Sequence, residues 1–328
     1  MPSPLLHYST TPSLHPPMRV TANTFPNSLL DQLNQLTVRQ NRFQQQAATG
    51  QKVTLPEDDP VAMRRILDLQ AEGKTVGQYQ RNIGRHQELG TATYAVIKSL
   101  KKVSDRASEL VVRADSLKSP EELRIMGKEV SELIKGAVQQ ANAKNRGDYL
   151  LAGTKSDQPP FVLTTDTDGN VTSVTYQGNA SLAESEIAEG VTVTAQAAGA
   201  NTTGSGPRGL ITDNRFGADF FNHLIALQNN LNAGDTAAIA ATDRAALAQD
   251  EENLLIHVGN NGAIQSRLEA ARAIATTRGQ TLEQLVSNEA DADLAQTLVK
   301  LNQTQTAYQA ALQSGARILN TSLLDYIR

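Results

Sequence analysis

A chain of 328 residues is long enough for two domains, but aromatic residues make up only 4% of it and tryptophan is absent. Ala, Leu, Val and Ile therefore carry the apolar content, a mixture suited to long helices packed side by side. Cysteine is absent, which excludes disulfides, thiol catalysis and cysteine-held metals. The net charge of −4 is unevenly spread: residues 1–150 hold 20 Lys and Arg against 15 Asp and Glu, and residues 151–328 hold 10 against 19. This is too mild for a nucleic-acid footprint, and no run of about 18 apolar residues is present to insert into a membrane.

The first seventeen residues contain five prolines (Pro2, Pro4, Pro12, Pro16 and Pro17) and read as a disordered tail or, with Met18 as the true start rather than Met1, as sequence outside the protein. They lack the basic-then-apolar order of a cleaved signal peptide. From Leu29 the spacing Leu29, Leu33, Leu36, Gln40, Phe43, Ala47, Gly50 predicts a heptad helix. Acidic Glu57-Asp58-Asp59 before Pro60 reads as a helix start rather than a metal cluster. A long helix is expected from Pro60 to Leu117, where Val96, Leu100, Val103, Ala107, Leu110, Ala114 and Leu117 keep heptad spacing. Ser119-Pro120-Glu121-Glu122 predicts a capping box and a first-turn proline for the next helix, which runs to near Gly147.

Between Asp148 and about Arg215 the pattern changes to short alternations. Phe161–Thr165 and Val171–Tyr176 flank Asp166-Thr167-Asp168-Gly169-Asn170 and predict a hairpin, with Val191–Thr194 as a third strand. The turn has calcium-loop flavour, but Val171 and Gln177 stand where an EF-hand needs Gly and Glu. The Gly-rich stretch from Gly199 to Gly209 is expected to lead back to helix at Phe216, with a break at Asn232–Asp235 and a long helical stretch to about Val286. The last helix carries Leu294, Leu298, Leu301, Gln305, Tyr308, Leu312, Gly315 and Leu319 at heptad spacing. Leu301–Leu324 holds one charged residue, Arg317, and its other outer positions are amides and hydroxyls, groups that can be buried against a neighbour if hydrogen-bonded.

The fold expected is mainly α: a long antiparallel helical bundle or coiled coil formed by both chain ends, with a small central β-rich insert. In residues, 18–57 and 287–328 form a terminal assembly region, 58–147 and 216–286 a helical rod, and 148–215 the β-rich insert, after a tail of 1–17. An isolated pair of terminal helices gains roughly 1.5 to 3 kcal/mol per buried Leu against about 1 to 2 kcal/mol per ordered residue. Both ends are therefore expected to complete their folding only on assembly. No catalytic, cofactor-binding or metal-binding residue emerges: the five histidines are scattered, and neither a phosphate-binding loop nor a serine elbow occurs.

ATGQKVTLPEDDP (Ala48–Pro60), NRGDYLLAGTKSDQPPF (Asn145–Phe161) and the Gln-rich heptads of Ala290–Leu319 resemble elements of the hook-filament junction proteins of bacterial flagella, a branch of the flagellin superfamily. Filament flagellin is the alternative, sharing the terminal coiled coils, but flagellins generally carry Asp-Asp-Ala and Phe-Asn-Gly where this chain has Asp58-Asp59-Pro60 and Leu151-Ala152-Gly153. A soluble coiled-coil scaffold is a further alternative, which the scarcity of charge on the outer faces disfavours. The resemblance implies a structural subunit with no enzymatic activity and no cofactor, an extracellular flagellar location and export without a cleaved signal peptide. It also implies self-association in a ring, flagellin and the other junction protein as neighbours, an export chaperone on the C-terminal helix, and no nucleic acid or membrane insertion. Assembly contacts are expected at Leu29, Leu33, Leu36, Phe43, Leu294, Leu298, Leu301, Tyr308, Leu312 and Leu319.

Overall fold

A computed structural model describes residues 24–326, with side chains described for 27–317. The predicted tail, Met18 and the side chain of Leu319 lie outside the described residues. Two compact units divide the chain: one from its two ends, up to Asp68 and from Leu285, the other from Leu69 to Gln284.

In the unit from the two ends, α1 (Thr24–Thr49) lies antiparallel to α7 (Leu294–Tyr326), next to the start of α2 (Pro60–Arg113) and the end of α6 (Arg244–Ala290). Val53, Ala62, Ile66 and Ala290 form its buried cluster, with Met63 and Val286 against it.

The other unit contains the rest of α2 and α6, with α3 (Pro120–Ala141) and α4 (Phe220–Ala233) packed together. The predicted capping box is present: the Ser119 hydroxyl accepts from the Glu122 amide, and the Glu122 carboxylate accepts from the Ser119 amide at 2.8 Å. Helix α2 stops at Arg113, four residues before the expected Leu117, because the Asp115 carboxylate takes the Leu117 amide at 3.0 Å in a local turn that competes with the helix. Leu117 is left 90% exposed. Similarly α3 ends at Ala141 rather than near Gly147. The Asn142 side chain instead exchanges hydrogen bonds of 2.8 and 2.9 Å with the backbone of Phe161, and Arg146-Gly147 turns a two-residue hairpin of β1 (Lys144–Asn145) and β2 (Asp148–Tyr149).

The expected hairpin is β3 (Phe161–Thr165) antiparallel to β4 (Val171–Tyr176), closed by Asp166, whose carboxylate accepts from the Asn170 amide at 2.8 Å. The third expected strand is β6 (Val191–Val193), paired with β5 (Ser185–Ala188). The Gly-rich stretch is not a route back to helix. It is bounded by β7 (Ala198–Asn201) and β8 (Gly209–Asp213), which pair in parallel, and β8 continues antiparallel to β9 (Ala218–Asp219). Helix therefore resumes at Phe220, not Phe216. The break expected at Asn232–Asp235 falls at the C-cap Gly234, followed by α5 (Thr236–Ala238) and a π-turn segment, Ile239–Asp243.

Residues 148–215, expected as an insert, share a core with the helices. Phe161, Val171, Leu210 and Ile211 are buried with Ile97, Leu100, Ile134, Phe220 and Leu224, while Ile187 and Val193 are buried with Val76, Ile83 and Leu268. The buried face of α2 also carries His86, Thr93 and Ser104, whose side-chain polar atoms have no hydrogen-bond partner among the described residues.

Candidate assembly surface

The run Ala48–Pro60 is a tightly tied crossing between α1 and α2. Gly50 takes a φ of 73°, which costs glycine nothing, so its amide closes α1 on the Gln46 carbonyl at 2.9 Å. The chain then runs antiparallel to the crossing from α6 to α7, with Gln51 bridged to Asp291. Lys52 donates its amide to Ala290 at 2.7 Å, Ala292 donates to Gly50 at 2.8 Å, and Lys52 Nζ reaches the Asn288 carbonyl at 2.8 Å. The two acidic residues have separate roles. Asp58 accepts from the Thr54 and Leu55 amides, both at 3.1 Å, and those bonds with the Thr54 hydroxyl and Arg42 hold its carboxyl below the usual range. Asp59 caps α2 through the Val61 and Ala62 amides at 3.0 and 2.9 Å, so the capping account of this acidic run is the one the geometry supports.

Along α1, the half-buried positions are Leu29, Leu33, Leu36, Gln40, Phe43 and Ala47, which follow the predicted stripe, together with Gln46. On α7 the side facing α1 is a different row: Thr297, Leu301, Thr304, Tyr308, Ala311 and Gly315. Leu301, Tyr308 and Gly315 belong to both rows. Leu294, Leu298 and Leu312 are 49%, 50% and 45% exposed. The signal for the seam was its small size. Gly315 meets Leu29 so closely that an added methyl group would collide with it, and Thr304 lies buried with its hydroxyl donating to the Lys300 carbonyl at 2.7 Å. Heptad reading also took in Leu294, Leu298 and Leu312, which point away from α1; Val299 on α7 and Leu30 and Val38 on α1 are more than half exposed.

The second run, Asn145–Phe161, turns on a residue that sequence reasoning passed over. Asn179 accepts from the Thr154 and Ser181 amides, both at 3.1 Å, and donates to the Thr154 hydroxyl at 2.8 Å. Its own amide reaches the Ala152 carbonyl at 3.1 Å. The Tyr176 hydroxyl lies 2.9 Å from the carbonyls of both Leu151 and Asn179, and burial pushes its pKa up.

Buried ionisable groups elsewhere are structural. Burial pushes the Asp213 carboxyl up, but hydrogen bonds from Arg215 and from the Gly209 and Arg215 amides outweigh it and hold the group at about 2. Asp250 receives the Asp219 amide at 2.8 Å and His223 Nδ1 at 2.7 Å; that bond raises the His223 pKa against its burial. Among the described residues, no group of histidines and carboxylates is placed to hold a metal ion, and no helix is long and apolar enough to cross a membrane.

Residues 20–156 match the N-terminal helical region of bacterial flagellin. Over that stretch the chain is similar to flagellin. Its fold is that of several solved hook-associated proteins. A flagellar hook-associated protein of Vibrio parahaemolyticus superposes with a TM-score of 0.60 at 18% identity, covering 71% of this chain and 100% of that one. FlgL of Bacillus cereus gives 0.52 at 20% identity, covering 67% and 99%. Flagellar hook-associated protein 3 of Legionella pneumophila gives 0.54 at 14% identity, covering 67% and 98%. No curated protein matches the sequence.

Proposed function

We propose that this chain is a structural subunit of the bacterial flagellum at the hook-filament junction, where it polymerises through its paired terminal helices. The carrying observation is the combination of a flagellin N-terminal helical region with a fold that spans the solved hook-associated proteins over essentially their full length. Filament flagellin is the less favoured reading. The protein acts mechanically, without enzymatic turnover. Residues 18–57 and 287–328 form the assembly region, with Leu29, Leu33, Leu36, Phe43, Leu301 and Tyr308 supporting the α1–α7 pair. Leu294, Leu298 and Leu312, and with them Leu319 by its heptad position, face neighbouring subunits. The neighbours are further copies in a ring, flagellin and the other junction protein. An export chaperone covers the C-terminal helix before assembly, and export uses no cleaved signal peptide.

Purified protein mixed with hook fragments and flagellin, then imaged by negative stain, tests this reading. Addition to the fragment ends followed by flagellin growth is expected. Failure to add, or growth of long tubes from this chain alone, would sink it.

A further inference from the structure

The charges of the unit formed by the two chain ends are segregated. A groove between α1 and α7, floored by Phe43 and Thr304, is lined by Arg39, Arg42, Lys52 and Lys300 against one carboxylate, Asp293. Among the described residues only Arg42 of these four cations lies within 4 Å of a carboxylate, Asp58 at 3.9 Å. Lys52 and Lys300 spend their ammonium groups on neutral oxygens, the Asn288 carbonyl at 2.8 Å and the Gln296 amide at 3.2 Å. Beside the groove, the two crossings carry the opposite sign. Glu57 and Asp291 are exposed and have no cation within 4 Å among the described residues, and the Asp59 carboxylate faces solvent while capping α2. Within one copy, among the described residues, Arg42 with Asp58 is the one ion pair between the two patches, which leaves Arg39 and Lys300 on one side and Glu57 and Asp291 on the other without an opposite charge.

We infer that the groove receives the acidic crossing of a second copy of this chain, Glu57 and Asp291 of one molecule pairing with Arg39 and Lys300 of the next. The two patches are different surfaces, so the contact is head-to-tail and repeats without closing on a pair, as a polymer requires. Its polar rim also fits electrostatic steering of incoming subunits. This rests on the assembly reading above, and it names the residues that set register between copies.

The chain contains no competing cysteine; the test uses full-length protein added to hook fragments and recovered by sedimentation. Arg39→Glu with Lys300→Glu, or Glu57→Lys with Asp291→Lys, is expected to lower the recovered fraction about tenfold in low salt, because attraction becomes like-charge repulsion. Combining all four substitutions in one chain, or mixing the two double variants, restores recovery. Circular dichroism matching wild type shows that the variants fold. A separate check places Arg39→Cys and Glu57→Cys in different copies, which should cross-link only when assembled. Wild-type protein that does not sediment with the fragments overturns the flagellar reading and this contact with it. Wild-type sedimentation with undiminished variants, or variants that the charge swap fails to rescue, overturns the contact alone. Loss in the groove variant but not in the acidic one would mean another protein's acidic segment occupies the groove, and likewise refutes the inference.

Discussion

Replacing Asp213 by Asn tests whether the loop between β7 and β8 is held by one buried carboxylate. Asp213 is fully buried and accepts from the Gly209 amide at 2.9 Å, the Arg215 amide at 3.0 Å, and Arg215 Nε and Nη2 at 3.0 and 2.7 Å. Asn keeps the volume but can accept from one side only, and its NH2 faces donors. The carboxyl falls from its ordinary 3.8 to about 2 in the fold. At 1.36 kcal/mol per tenfold in proton affinity, that difference corresponds to about 2 kcal/mol at neutral pH. For a unit of this size the loss lowers the melting temperature by about 4 to 8 °C. Because the folded pKa is depressed, the stabilisation is fully present above about 3.8 and drains as pH falls toward 2, so roughly half survives at pH 3. With no tryptophan to report fluorescence, urea unfolding followed by far-UV circular dichroism near pH 7 and pH 3 is the assay. Equal midpoints for variant and wild type near pH 7, or a gap that stays the same near pH 3, would refute the reasoning.

His223 behaves in the opposite sense: its pKa is raised by Asp250, so its contribution is present below about 6.5 and fades as pH climbs through the folded value. The stability gap between wild type and His223→Gln should therefore be wider near pH 6 than near pH 8.5, as read by urea midpoints. His86 is buried with both ring nitrogens unpartnered, and burial together with Arg85 lowers its pKa. His86→Leu should stabilise the fold by about 1 to 3 kcal/mol and remove a loss of stability that wild type shows as pH drops below about 6.5. Asn179→Ala removes three solvent-exposed hydrogen bonds, whose partners water can satisfy, and should cost about 1 kcal/mol in calorimetry. Gly315→Leu drives a side chain into Leu29 and should expose α1 to amide exchange while leaving protection in Leu69–Gln284 unchanged.

What could be read in the sequence followed from signals confined to a few neighbouring residues. Ser119 with Glu122, Asp59 before Pro60, and the apolar runs either side of Asp166 each fix their element through bonds made within a handful of positions. The elements that escaped depend on partners far along the chain. Strand β7 is a run of Ala, Gly and Asn that earns no β-propensity; it pairs because Gly199 lets the backbone approach Tyr176 and Phe161 and donate to Leu151 at 3.2 Å. The α7 seam escaped for the reverse reason. Heptad reading assumes that the largest residues face the nearest helix, and here Thr297, Thr304 and Ala311 face it beside the expected Leu301, Tyr308 and Gly315.

That inversion bears on why the ends of the chain need neighbours. On α7 the seam mixes Leu301 and Tyr308 with threonine, alanine and glycine, which brings α1 and α7 close but buries less apolar area than an all-leucine row would, so the pair alone gains less. The apolar area is instead turned outward at Leu30, Val38, Leu294, Leu298, Val299 and Leu312, each from 45% to 67% exposed. Covering what remains of one such side chain is worth about 1 kcal/mol, so the six together supply roughly 6 kcal/mol, comparable with the lower range of the entropic cost of docking two proteins. One neighbour covering only its share would fall short of that cost, whereas neighbours on two sides cover all six side chains while the docked copy loses its freedom once, which brings gain and cost into balance. Under the proposed assembly, cooperative growth follows from which way six side chains point. Replacing Leu298 and Leu312 together by Ser should leave the α1–α7 seam intact while raising the concentration at which subunits add to hook fragments.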